Sequence, residues 1–353
     1  MKRLNKFELS MLVIALICLG GAWMSSAQAP ELTLRIGLLG PMTDEDYDGA
    51  LVFKNYVESR THGEISVKIY PSAQFCSNPR ECIDDLQSGA LDVFMTTIGG
   101  IGNVFAPAQV FDLPYVFRDD DVAECVFDSE LMDDLRKAVL ETGAGLRLMV
   151  VSNTGGWRNF ATTKKAIKSP EDLRGLKLRT TAAPIQQELV RQLGAHPTPV
   201  PWSELYTALA TGVVEGTKNS IQDLVGMNFH EHVKHIILDG HAYMSALWWF
   251  SEPRWQTLSP EYQRIVIEGF QRLKLITRAL PIRGQIEATE SFVKAKGTIY
   301  APSTEEKEAF RKATQGMRTW FVERYGRDWL DKLDATVTRC ETRIDHDLDQ
   351  IRK

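Results

Sequence analysis

Residues 171–220 read EDLRGLKLRTTAAPIQQELVRQLGAHPTPVPWSELYTALATGVVEGTKNS, and the spacing of proline, glycine and apolar residues in this stretch decides the fold. Leu176 and Leu178, followed by Thr180 and Thr181, predict a short strand that ends at Arg179. Pro184 suits a first helical position and opens a helix through Gln186, Leu189 and Leu193, which Gly194 stops. Thr198 to Val200 is a brief extended segment. Pro201-Trp202-Ser203-Glu204 then starts a second helix with Leu205, Ala208 and Leu209 on one face. Gly212 ends that helix, and Val213 to Thr217 leads to Asn219. Strands alternating with helices in this way predict an α/β architecture. The same order places a cation, Arg179, where a strand meets a helix start. Backbone amides and the helix dipole favour an anion there, and a guanidinium fork can bind both oxygens of a carboxylate. The stretch therefore predicts a site for an organic anion.

The same plan recurs upstream. Leu32 to Gly37 alternates as a first strand and leads to a Gly40-Pro41 turn near the predicted cleft. A helix is predicted over Asp48 to Glu58, a strand over Ile65 to Tyr70, a helix over Arg80 to Gln87, and a strand over Ala90 to Thr97. Leu86-Gln87-Ser88-Gly89-Ala90-Leu91-Asp92 lines up with Leu209-Ala210-Thr211-Gly212-Val213-Val214-Glu215 at a constant offset of 123. Two lobes built on one plan and facing each other across a cleft explain the echo. On that offset Thr96 answers to Asn219, which makes Thr96 and Thr97 candidates for the opposite wall. Gly99-Gly100-Ile101-Gly102 follows and can present bare amides to an anion.

Val110 to Phe117 is apolar and broken by proline, as a crossing into the second lobe would be. An acid-rich helix is predicted from Asp120 to Glu141, in one or two pieces. Leu146 to Ser152 reads as a strand buried on both faces of a parallel sheet. Arg158 follows two glycines at its end, well placed to reach a bound group. Asp223 to His235 predicts a helix, and Ala246 to Phe250 a strand with Trp248 and Trp249 on opposite faces. Trp249 and Tyr243 are candidates to meet the ligand, with core packing as the other reading of each. Pro260 opens a helix to about Lys294, roughly 50 Å at 1.5 Å per residue, longer than one lobe, with a kink expected at Pro281. Ser303 with Glu306 forms a capping box. The last helix carries Leu330, Leu333, Val337, Cys340, Ile344 and Leu348 in a seam that packs on the body or on a partner chain; a monomer is the expectation.

The runs LRGLKLRTTAAP and PVPWSELYTALATGVVEGTKN resemble the DctP-type solute-binding subunits of TRAP (tripartite ATP-independent periplasmic) transporters. YPSAQF, LQSGALDVFMTT, AQVFDLPYVF and GGWRNFATTKKAI extend the resemblance from about Leu32 to about Tyr325. It implies a two-lobed periplasmic-binding-protein fold, type II-like, with a long helix spanning both lobes. Residues 28–150 would form mainly lobe 1, 151–250 mainly lobe 2, and 251–353 the spanning and C-terminal helices. The family's carboxylate-holding Arg, Arg and Asn fall on Arg158, Arg179 and Asn219, and Trp202 would line the same cleft. The implied partners are the small and large membrane permease subunits; presentation of the ligand to a sensor or chemoreceptor is the alternative. Family members often carry Glu and Pro around the Asn, where this chain has Lys218 and Ser220. Lys218 either meets a second acidic group on the ligand or is an exposed lysine.

Bulk properties narrow the field further. The chain has 353 residues, 44% apolar and 25% charged, and is long enough for two lobes. Lys2, Arg3 and Lys6 precede an apolar run from Met11 to Leu19 and small residues up to Ala27, the layout of a secretory signal peptide spanning 1–27 and hence of a periplasmic protein. Its removal takes three cations and one acid, so the net charge of −5 becomes −7. Such a balance excludes the basic surface that nucleic-acid binding needs. Cys76 and Cys82 are either a small disulfide ring or free thiols; Cys125 and Cys340 read as small buried hydrophobes. His230, His232 and His235 lie at spacings that spread around a helix, so no metal site is expected. No Walker loop, dinucleotide glycine pattern or nucleophile motif is present, and neither a cofactor nor an enzymatic activity is expected.

Overall fold

The computed structural model describes residues 30–102 and 104–353; the expected signal segment, residues 1–27, lies outside them. Ten strands organise the described residues: β1 (Leu32–Gly37), β2 (Ile65–Tyr70), β3 (Val93–Thr97), β4 (Leu146–Thr162), β5 (Lys177–Thr180), β6 (His196–Pro199), β7 (Gly216–Asn219), β8 (His235–Ile237), β9 (Ala242–Ser251) and β10 (Thr298–Tyr300). Their order is β2-β1-β3-β9-β4-β7-β5-β6, with β8 on β4 and β10 on β8. In one lobe β1 runs parallel to β2 and β3; in the other, β5 runs parallel to β6 and β7.

The two halves repeat at the level of single hydrogen bonds. In the first, the amides of Gly89, Leu91 and Asp92 donate to the carbonyls of Leu86, Asp85 and Arg35 at 3.2, 3.1 and 3.1 Å. In the second, Gly212, Val214 and Glu215 donate to Leu209, Ala208 and Lys177 at 3.3, 3.2 and 2.8 Å. Gly89 and Gly212 both sit at φ 74, a conformation that stops a helix without a side-chain clash. Even the acid repeats: Asp92 accepts from the Arg35 amide, and Glu215 from the Lys177 amide. The 123-residue echo is thus one supersecondary unit used twice.

Strands β4 and β9 join the lobes. Residues 146–153 of β4 pair antiparallel with β9, which itself pairs with β3, whereas Asn159–Thr162 pair with β7. The burial expected for Leu146 to Ser152 is present, but the strand runs to Thr162 and its neighbours are antiparallel. Likewise β9, which chain order groups with the second lobe, pairs with β3 of the first. The β4 register breaks between Asn153 and Trp157, where Gly155 and Gly156 take φ values of +86 and +97 that side chains disfavour. The Gly156 amide donates to Asn153 Oδ1 there at 2.6 Å.

The helix Pro260–Lys294 spans 35 residues and is not ended by Pro281. Near its start Phe270 and Leu273 join the first lobe's core with Phe53 and Val57. Near its end Ala288 and Phe292 join the second lobe's core with Leu205, Leu224 and Phe229. A single rigid element therefore touches both cores. The Ser303 capping box is formed, and Phe310, Met317, Phe321, Leu330 and Leu333 enter a third cluster shared by the lobes.

Two expectations are corrected and one open alternative is decided. Cys125 and Cys340 are not isolated hydrophobes: they form a disulfide with a Cα–Cα distance of 5.9 Å, because the last helix, Asp328–Arg352, packs on the helix Asp120–Phe127. Cys76 and Cys82 are bonded as well, at 5.2 Å. Residues 223–235 are not one helix: Ile221–Gly226 is helical, Asn228 turns at φ 57, and β8 begins at His235. His230, His232 and His235 consequently meet different neighbours, namely the Leu224 carbonyl, the Tyr206 ring and the Thr298 hydroxyl.

Candidate functional site

A cavity of ≈ 330 Å³ lies between the lobes and is lined from both sides. The first lobe contributes Thr96 and Thr97 at the end of β3, Gly99 and Gly100 just beyond, and Asp44. The second contributes Arg158 from β4, Arg179 from the end of β5, Trp202, Asn219 from the end of β7, and Asp223. Parallel strands end at this face in both lobes, and the following helices start there, so backbone amides point towards the gap. Gly99 lies close to the other lobe: a Cβ on it would stand 2.7 Å from Thr181 Oγ1.

The two guanidinium groups dominate the second wall. Arg158 and Arg179 are 4% and 5% exposed, yet neither forms an ion pair among the described residues. Arg179 Nε donates to the Val200 carbonyl at 3.0 Å, and its guanidinium sits 5.6 Å from the centre of the Trp202 ring. Trp202 is braced edge-on by Phe229. Arg158 donates through Nη1 to the Lys218 carbonyl at 3.1 Å, and its buried Nε has no partner. Burial, with the Arg158 charge adding to it, pulls the Arg179 guanidinium down to about 9. An arginine held this way stores an unmet demand for a negative charge. Asn219 donates through Nδ2 to Asp223 at 3.0 Å and accepts from the Thr217 hydroxyl at 2.7 Å.

Six of the residues singled out from the sequence meet at this cavity: Thr96, Thr97, Arg158, Arg179, Trp202 and Asn219. Tyr243 and Trp249 are not among its lining residues. Tyr243 packs against Phe117, Phe127 and Trp157, and Trp249 is fully buried in the shared core. Trp248 faces the first lobe's core and bonds Ser152, so the alternation along β9 holds while both rings serve packing. Lys218 fits neither earlier reading. It is 2% exposed, does not line the cavity, and bonds Gln186 Oε1 at 3.3 Å. Burial, then the Arg158 charge, lowers its ammonium well below the usual lysine value.

Two acids are among the lining residues missed from the sequence. Asp44 caps the helix Glu45–Arg60, and Asp223 lies in the first turn of Ile221–Gly226, whose cap is Ser220. Burial, then the neighbouring Asp44 charge, pushes Asp223 up to about 6; burial also raises Asp44. The Ser220-Ile221-Gln222-Asp223 capping pattern, directly after Asn219, is the signal that would have found Asp223.

Two α/β lobes, crossing strands between them and a charged cavity at the strand ends define a two-lobed solute-binding protein. The comparisons agree with that class. The family model described as bacterial extracellular solute-binding protein, family 7 (DctP), matches residues 39–323, and the chain belongs to this family. It is similar to the 2,3-diketo-L-gulonate-binding periplasmic protein of Escherichia coli, at 30% identity over 79% of this chain and 84% of that one. The sialic acid-binding periplasmic protein of Vibrio cholerae is 29% identical over 95% of this chain and 100% of its own. Among solved structures, a TRAP periplasmic solute-binding protein from Polaromonas, bound to D-erythronate, is 27% identical with a TM-score of 0.81, covering 86% of this chain and 98% of that one.

Proposed function

We propose that this protein is the periplasmic receptor of a TRAP transporter, which captures an organic acid anion and hands it to the small and large membrane subunits after removal of the signal peptide. One observation carries the reading: two almost fully buried guanidinium groups, Arg158 and Arg179, line an interlobe cavity with no counter-ion in ion-pair contact among the described residues. The ligand's carboxylate supplies that counter-ion. Arg179 pairs with it, held in orientation by the Val200 carbonyl and the Trp202 ring, while the free Nε of Arg158 and the amide of Asn219 add donors. Bending at the Gly155-Gly156 break in β4, with the long helix as a common backing, brings Thr96, Thr97 and the amides after them over the ligand. Water leaves, and each ionic contact strengthens as the local dielectric falls. The relatives named for 2,3-diketo-L-gulonate and sialic acid, and the erythronate complex, support an acid as the ligand class.

A thermal-shift screen of the mature protein against organic acids, followed by calorimetry, tests the reading. A ligand at 100 times its dissociation constant stabilises the fold by about 2.7 kcal/mol, enough to detect. Delivery is tested by uptake in cells expressing the receptor with its cognate permease subunits: accumulation that requires both supports the assignment, and accumulation without the receptor contradicts it.

A further inference from the structure

The cleft carries charges of both signs that do not pair with one another. Arg158, Arg179, Asp44 and Asp223 all line it, and neither acid forms an ion pair with a lysine or arginine among the described residues, although the Asp223 charge reaches both guanidinium groups through space. The Asp223 carboxyl accepts from a neutral donor, the Asn219 side chain, while the Asp223 amide itself donates to Ser220 Oγ at the helix start. Behind Asp44 lie Glu45 and Asp46, 3% and 2% exposed, with oxygens of all three within 4.8 Å of one another. Thr154 donates to one Asp46 oxygen and Gln222 to one Glu45 oxygen; Asp46 Oδ1 and Glu45 Oε1, both buried, have no partner. Arg80, the first lobe's lining guanidinium, is exposed and pairs with none of these acids. Helix starts at Glu45 and Ile221 offset part of this negative charge, but the two unpartnered oxygens show that the offset is incomplete.

We propose that the organic acid taken up by this protein is dipolar, with a carboxylate for Arg158 and Arg179 and a protonated or quaternary nitrogen for Asp44 and Asp223. The inference rests on the reading of the cleft as an acid receptor. An ammonium brought by the ligand supplies the charge that the acidic corner lacks, while the carboxylate supplies what the guanidinium groups lack. A dicarboxylate would instead bring a second negative charge against Asp44 and Asp223, and like charges in a water-poor cleft repel strongly. The cavity volume of ≈ 330 Å³ sits at the small end of ligand pockets, about 300–1,000 Å³, which fits a compact amino acid or betaine.

The test is calorimetry and thermal shift on the full mature protein with a panel of α-, β- and γ-amino acids, glycine betaine and ectoine. Butyrate, succinate and D-gluconate serve as acids without a cation, and succinate with Ca²⁺ as a metal-bridged alternative. A dipolar probe binding at least tenfold more tightly than every acid without a cation supports the proposal. So does Asp223→Asn reversing that preference towards succinate. Succinate or D-gluconate binding as tightly as the best dipolar probe overturns it, as does silence from the whole dipolar panel or a requirement for Ca²⁺. The wild-type ranking decides even if Asp223→Asn does not fold. Where succinate wins but binding still needs Arg179, the acid-receptor reading survives and only the dipolar inference falls. Where the winning probe is indifferent to Arg179→Ala, both fall.

Discussion

The ends of β3 and β7 are the same piece of backbone built twice, down to matching hydrogen bonds 123 residues apart, yet they present opposite chemistry. At β3 the chain ends in Thr96 and Thr97 and passes into Gly99 and Gly100, small and uncharged. At β7 it ends in Asn219, flanked by Arg158 and Arg179 and followed by Asp223. Symmetry of the fold sets where a ligand sits; the side chains then divide the labour. The second lobe holds both buried guanidinium groups, whereas the first lobe faces them with small residues at its strand end and an acid, Asp44, at its helix start.

That division is open to attack, starting with the largest effect. Arg179→Ala should weaken acid binding about 30- to 150-fold, or roughly 2 to 3 kcal/mol by the usual worth of charged hydrogen bonds, while Thr96→Val on the equivalent first-lobe strand should cost less than fivefold. Equal losses, measured by calorimetry, would erase the distinction between the walls. Next, Gly99→Val should hold the lobes apart, since even a Cβ there would approach Thr181 Oγ1 to 2.7 Å. Affinity should fall about tenfold through a faster off-rate, as closure-dependent binding implies, and small-angle scattering of the liganded variant should show the wider form.

The acidic corner makes a prediction about pH. Burial raises Asp44, Glu45, Asp46 and Asp223 above their ordinary values, Asp223 to about 6. A carboxyl raised on folding binds protons more readily folded than unfolded, so stability grows as pH falls through the folded pKa and stops growing below the unfolded one, near 4. The ligand-free protein should therefore melt about 2 °C or more higher at pH 5.5 than at pH 7.5, and Asp223→Asn should flatten that slope. A melting temperature that falls over this window contradicts the charge assignment. The smallest effect on binding belongs to the Cys125–Cys340 disulfide, which does not line the cavity: replacing both with Ser should cost about 2 to 5 kcal/mol of stability, seen as a lower melting temperature, and leave acid affinity within twofold.

What was legible in the sequence follows from the range of the forces involved. Glycine stops, proline starts and apolar spacing are local, so the alternation over 171–220, the repeat and the spanning helix could be read directly. Arg179 was legible because its position between a strand end and a helix start fixes where it points. Asn228 shows the limit: one residue at positive φ split an otherwise helical run, and a short turn at Phe229–Glu231 follows it before β8. Alternation along β9 set Trp248 and Trp249 on opposite faces but carried no information on which face meets the cleft, and both turned out to be core. Lys218 and the Cys125–Cys340 bond depend on packing between segments distant in the chain, which no local pattern encodes. Asp44 looked like an ordinary helix cap, and only the approach of the second lobe makes it part of the cavity.

The most direct measurement is a crystal structure of the mature protein with the tightest-binding acid from the screen. The account predicts a carboxylate within hydrogen-bond distance, about 2.7–3.0 Å, of the guanidinium of Arg179 and the free Nε of Arg158, between closed lobes. A ligand seated elsewhere in the cleft, with both guanidinium groups still without a counter-ion, would contradict it.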